Sequence, residues 1–140
     1  MEIYDINPEA DSRLANLSTR GFVETGNYVM IGGFIVGGAS GNTNVVLRGI
    51  GPSLAQYGLT NILTDPMLEL RDSNGILLGS NNDWNDNPTQ ASELISRGLA
   101  PPDQHESGIF ASLPSGAFTA ILTGQNAGTG IGLVEIYNLE

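Results

Sequence analysis

Short runs of β-branched and aliphatic residues recur along this chain, each closed by glycine, asparagine or proline, and this punctuation limits the fold more than any other feature. Residues 14–19 alternate in part, and residues 27–36 form a longer run rich in Val, Ile and Phe. Asn44-Val45-Val46-Leu47-Arg48-Gly49-Ile50 follows the stretch Gly37-Gly38-Ala39-Ser40-Gly41-Asn42, a strong hairpin cue. Met67-Leu68-Glu69-Leu70-Arg71 and Ile76-Leu77-Leu78 flank Asp72-Ser73-Asn74-Gly75, which predicts a short hairpin with glycine at positive φ. Residues 109–113, 117–123 and 131–139 supply three more strands, with turns at 114–116 and 126–130. The expectation is an all-β, antiparallel, jelly-roll-like β-sandwich with one or two short helices.

Two stretches carry helix signals. Residues 52–58 allow one or two turns closed by Gly58. Residues 87–98 begin with an Asn cap and Pro88 and end on Gly98, with Ala91, Leu94 and Ile95 on one face, so this helix is expected to lie over a sheet end.

The most informative feature for function is a repeat. Glu2-Ile3-Tyr4-Asp5-Ile6-Asn7 mirrors Glu135-Ile136-Tyr137-Asn138-Leu139-Glu140, with three identical residues at an offset of 133. The division is therefore residues 1–8 as a terminal strand or linker resembling the C-terminal strand, and 9–140 as a single β-sandwich domain. Two explanations fit the repeat. In a tandem array, the last strand of one module leads into the next. In donor-strand assembly, a spare terminal strand adds to a neighbour's sheet. The assembly residues are then Glu2, Ile3, Tyr4, Asp5 and Ile6 at one end and Glu135, Ile136, Tyr137 and Leu139 at the other. Residues 2–7 are expected to lie in a β-ladder, because they contain no Lys or Pro to guard an open edge.

Charge narrows the partners. The net charge is −10, with five Arg and no Lys, so no basic face can displace counterions from nucleic acid or meet an anionic membrane. The absence of Cys removes disulfides and thiolate metal sites, and no apolar run is long enough to span a bilayer. Met1-Glu2-Ile3-Tyr4-Asp5 lacks the basic and apolar regions of a secretion signal, so a secreted chain is expected to be a mature form or to carry an added Met.

Few residues suggest chemistry. The single histidine, His105, stands in a polar loop with Asp103 and Ser107 nearby, but nothing resembles a nucleophile elbow, and the expectation is a surface-loop histidine in a non-enzyme. The glycines at 32–33, 37–38, 49 and 51 match no phosphate-binding pattern and suit turns, bulges and close packing. Asp72, Asn74, Asp83 and Asp86 are hard-oxygen candidates for Ca²⁺, with Asp83 and Asp86 the best of them; the competing explanation is that Asp and Asn form turns. Trp84 is either a sugar-stacking platform, which would make polysaccharide a partner, or a loop anchor closing one end of the core.

From Met67 onward the chain resembles the pre-peptidase C-terminal type of β-sandwich module, through Leu68-Glu69-Leu70-Arg71-Asp72-Ser73-Asn74-Gly75, Leu78-Gly79-Ser80-Asn81-Asn82-Asp83 and Leu113-Pro114-Ser115-Gly116-Ala117-Phe118-Thr119-Ala120. With Leu17-Ser18-Thr19-Arg20-Gly21, Ile31-Gly32-Gly33-Phe34 and Arg48-Gly49-Ile50-Gly51-Pro52-Ser53-Leu54, the whole chain also resembles modules repeated in large secreted bacterial proteins. The resemblance implies a jelly-roll-like sandwich, export and an accessory or structural role, with Ca²⁺ bound through loop acids in some relatives. The resulting expectation is a non-enzymatic module, extracellular or at the cell surface, that assembles head-to-tail with copies of itself or like modules. The alternative is an accessory carbohydrate-binding module of a secreted protein.

Overall fold

A strand with period-two alternation has one apolar face to bury, and here two sheets bury those faces against each other. The computed structural model describes residues 16–37 and 41–139. Eight strands run through them: β1 (Asn16–Val23), β2 (Met30–Val36), β3 (Thr43–Ile50), β4 (Pro66–Asp72), β5 (Leu77–Asn81), β6 (Ser107–Leu113), β7 (Gly116–Gly124) and β8 (Gly130–Asn138). The first sheet has the order β1-β8-β3-β6 and the second β2-β7-β4-β5, with every ladder antiparallel. Successive strands alternate between the sheets except at β4–β5, which is the order of a jelly roll.

Inward residues such as Leu47, Leu68, Leu70, Leu122 and Val134 fill the space between the sheets. Burial follows period two along β4 and β8, whereas in β3 the consecutive Val45, Val46 and Leu47 are all buried. Val46 stands in register between Phe110 of β6 and Tyr137 of β8, and α1 (Pro88–Ser96) packs against β6 with Ala91 and Leu94 buried. Asn87 caps this helix, its side chain accepting from the backbone N–H groups of Thr89 and Gln90. Ile95, expected on the same buried face, is 60% exposed. Pro52–Tyr57 is a 3₁₀ segment closed by Gly58 at φ 81°.

One local expectation is corrected. The cue at residues 37–42 does not make a hairpin, because β2 pairs with β7 while β3 pairs with β6 and β8. Turn residues let the chain reverse, but burial of both apolar faces decides whether it reverses within a sheet or crosses to the other. Among the described strands, only β4–β5 is a hairpin of consecutive strands. It carries a bulge between Leu70 and Arg71, and Gly75 sits at φ 81°.

The two poles of the sandwich differ. At one pole the connections are short, at 37–42, 73–76 and 114–115. Both ends of the described fold are there too, with Asn16 paired to Tyr137 and Val45 to Asn138. The opposite pole carries the long connections 51–65 and 82–106. The expected terminal strand, with Glu2, Ile3, Tyr4, Asp5 and Ile6, lies outside the described residues. Among those residues, no helix is long and apolar enough to cross a membrane.

Candidate functional site

The long-loop pole is organised by Glu106. This side chain is fully buried, and none of its hydrogen-bond partners is a cation. Its Oε2 accepts from the backbone N–H of Gly51 at 3.0 Å, the N–H of Ser53 at 2.8 Å and the Ser53 hydroxyl at 2.7 Å. Its Oε1 accepts from the N–H of Asp103 at 3.1 Å. Converging dipoles thus meet the carboxylate, which is what a buried charge without a counter-ion needs. The turn that supplies them depends on glycine. A Cβ on Gly51 would collide with the Leu63 carbonyl oxygen, and one on Gly49 would come within 2.6 Å of Ser107 Oγ. These glycines therefore serve close packing, as expected. Glu106 is not among the residues the sequence singles out, because the N–H groups that meet it, from Gly51 and Ser53, lie more than 50 residues away.

Beside it lies a less settled group of acids. Burial and then the Asp83 charge raise the Asp65 carboxyl above its ordinary value of 3.8, while His105 opposes the shift. With its amide oriented to satisfy its neighbours, Asn82 donates to Asp65 Oδ1 at 2.9 Å and to the Pro66 carbonyl at 3.3 Å. Asp83 Oδ1 and Trp84 Nε1 are buried without a hydrogen-bond partner. Trp84 is half-buried, and its backbone N–H donates to the Glu106 carbonyl at 2.9 Å. His105 is exposed, with Nδ1 3.2 Å from Asp103 Oδ1. Ser107 is buried, and its hydroxyl donates to the Pro66 carbonyl at 3.3 Å.

The four calcium candidates are divided by the fold. Asp72 and Asn74 occupy the β4–β5 turn at the short-turn pole, where Asp72 Oδ1 accepts from the N–H groups of Asn74 and Ile76, each at 2.9 Å. Asp83 and the exposed Asp86 lie beyond the far end of β5. Among the described residues, no three His, Cys, Asp or Glu side chains form a group that could hold a metal ion.

The repeated C-terminal motif fills β8, an interior strand paired on both sides by β1 and β3. Ile136 points into the core. On the other face, Arg48 of β3 holds the two flanking polar residues. Its Nε and Nη2 donate to Glu135 Oε1 at 2.8 and 2.6 Å, and Nη2 also donates to the Tyr137 hydroxyl at 3.3 Å. The guanidinium stands 5.4 Å from the Tyr137 ring centroid, and Nη1 reaches the Leu99 carbonyl at 3.4 Å. Burial, then the Glu135 charge, raise the Tyr137 hydroxyl above 10.0 against the opposing pull of Arg48. Leu139 follows the strand, its N–H donating to the Asn44 carbonyl at 2.9 Å.

A groove of about 580 Å³ opens between edge strands β5 and β6. Leu70, Leu78, Ile109, Leu113 and Phe118 contribute to its apolar lining, with Gln90 on its polar side; Trp84 is not part of it. Compared with known proteins, the chain matches no protein-family model and no curated protein.

Proposed function

We propose that this chain is a non-enzymatic structural module, joined to like modules through the short-turn pole of its sandwich in a tandem array on or outside the cell surface. The observation that carries this is the Arg48 clamp on β8. Glu135 and Tyr137 face Arg48 while Ile136 enters the core, so the Glu-Ile-Tyr pattern is that of a strand made to lie beside a β3 bearing such an arginine. Glu2-Ile3-Tyr4 repeats the pattern, yet the matching position in this domain is filled by its own β8. The earlier copy therefore suits the last strand of a preceding like module better than a strand donated into this one. Asn16, where the described fold begins, and Asn138 lie at the same pole, so successive modules would hang from one line of linkers and turn their long loops away from it.

A non-catalytic, exported role is supported by smaller points. The Ser107 hydroxyl is buried and committed to a backbone carbonyl, and the Trp84 indole N–H is buried. The resemblance to modules of large secreted bacterial proteins agrees with this role, as does a chain with only 14% charged residues.

The test uses the full chain, a version lacking residues 1–7, and a concatemer of two full chains. Light scattering should find the first two monomeric with equal melting temperatures. Small-angle scattering of the concatemer should show two compact lobes. Filaments of the full chain that vanish on truncation would replace the array with strand exchange. Saturable binding of a polysaccharide, reported by Trp84 fluorescence, would favour the carbohydrate-binding alternative.

A further inference from the structure

Open sheet edges are hazardous for identical modules strung together, because each edge offers unpaired backbone groups to its neighbours at high local concentration. In β6 three of these groups are already taken, at Gly108 and Phe110. The register with β3 directs the N–H and C=O groups of Gly108, Phe110 and Ser112 away from the sheet. The Gly108 N–H donates to Asn81 Oδ1 at 2.9 Å. The Phe110 N–H donates to Gln90 Oε1 at 2.8 Å, and Gln90 Nε2 donates back to the Phe110 carbonyl at 3.1 Å. A primary amide that accepts from an N–H and donates to the C=O of the same residue does what one residue of an adjacent antiparallel strand would do.

Both caps are held in place. Asn81 Nδ2 donates to the Asp83 carbonyl at 3.0 Å. Gln90 lies in the first turn of α1, where its own N–H donates to the Asn87 cap at 3.1 Å. Leu94 packs so closely over Gly108 that a Cβ there would be 2.7 Å from its Cδ1, and Arg97 sits 4.6 Å from the Phe110 ring centroid. α1 thus folds around the edge, with Gln90 at the ladder.

We infer that Gln90, with Asn81, is a built-in strand surrogate that closes the β6 edge and keeps copies of this module from pairing edge to edge. The array reading supplies the setting in which this matters most, but the cap operates in a single module and is tested there, so either idea can fail while the other stands. Ser112 is the outward position of β6 that neither amide covers, and it provides the control.

Gln90→Leu keeps the helix and the side-chain bulk while removing both hydrogen bonds. The variant should melt cooperatively and form concentration-dependent dimers or larger species by light scattering. Its Phe110 amide should exchange about tenfold faster or more. Adding Ser112→Pro, which removes an outward N–H from the exposed edge, should return the variant to monomer. A folded Gln90→Leu protein that stays monomeric at millimolar concentration overturns the inference, and so does association that persists with Ser112→Pro. If Gln90→Leu does not fold, amide exchange in the unaltered protein decides. Gly108 and Phe110 protected like ladder amides, with Ser112 exchanging quickly, supports the cap; Phe110 exchanging as fast as Ser112 refutes it.

Discussion

Two acidic groups at the long-loop pole show opposite solutions to one problem. Glu106 is wholly buried and meets four donors, whereas Asp65 and Asp83 are less buried, repel each other and leave one carboxylate oxygen without a partner. Burial alone therefore does not make a carboxylate costly; burial without aimed dipoles does. Glu106 ties the turn after β3 to the start of β6, so its charge works as a staple between two connections. Asp65 and Asp83 staple nothing by their charge and carry a small penalty.

The largest expected effect comes from removing the satisfied acid. Glu106→Ala leaves three backbone N–H groups and a hydroxyl without their acceptor in a buried site, and should cost about 3–5 kcal/mol in urea unfolding. Glu106→Gln keeps the volume but turns an NH₂ toward donors, so it should cost about 2–3 kcal/mol. Parent-like stability in both variants would erase the contrast.

A third arrangement, a carboxylate met by a cation, sharpens it. Arg48→Met strips Glu135 of its partner on the outer face of the first sheet and should cost about 1–3 kcal/mol. The loss should be moderate because both side chains keep some exposure, 16% and 17%. In a concatemer it should also loosen β8, visible as faster amide exchange at Ile136 and Tyr137.

Asp72 at the other pole is half-buried and its Oδ1 accepts only from N–H groups of the β4–β5 turn, so Asp72→Ala should cost about 1 kcal/mol. A melting temperature insensitive to this change would show that the hairpin is held by its ladders rather than by its turn.

The smallest effect should have the opposite sign. The folded state raises the Asp65 pKa, so stability is greatest, for this group, below the unfolded value and is lost as pH rises through the raised folded value. Asp65→Asn should therefore raise the melting temperature at pH 7 and leave it unchanged at pH 3. Solvent screening limits the rise to about 1–2 °C. A fall at pH 7 would mean that the carboxylate has a favourable partner, and addition of Ca²⁺ and then chelator to the parent would test whether a cation is that partner.

Sequence and fold can now be apportioned residue by residue. Local chemistry was sufficient for α1, because Asn87, Pro88 and Gly98 act on their own backbone, and for the β4–β5 hairpin, because Asp72 and Gly75 lie within the turn they shape. Period-two burial along β4 and β8 was equally legible. The pairing of strands was not. The stretch at 37–42 has the residues of a hairpin and crosses between sheets instead, since partner choice follows from burying every apolar face at once. Glu106, Arg48 and Gln90 were hidden for a related reason: the Gly51 and Ser53 donors of Glu106, the Glu135 and Tyr137 partners of Arg48 and the Phe110 partner of Gln90 stand 53 to 55, 87 to 89 and 20 residues away. The sequence by itself determined the strands, the turns and the repeated Glu-Ile-Tyr motif, whose causes lie within a few residues. Tertiary structure alone decided which carboxylate would be stapled, which strand would hold Arg48 and which edge would be closed, because those depend on groups that only the folded chain brings together.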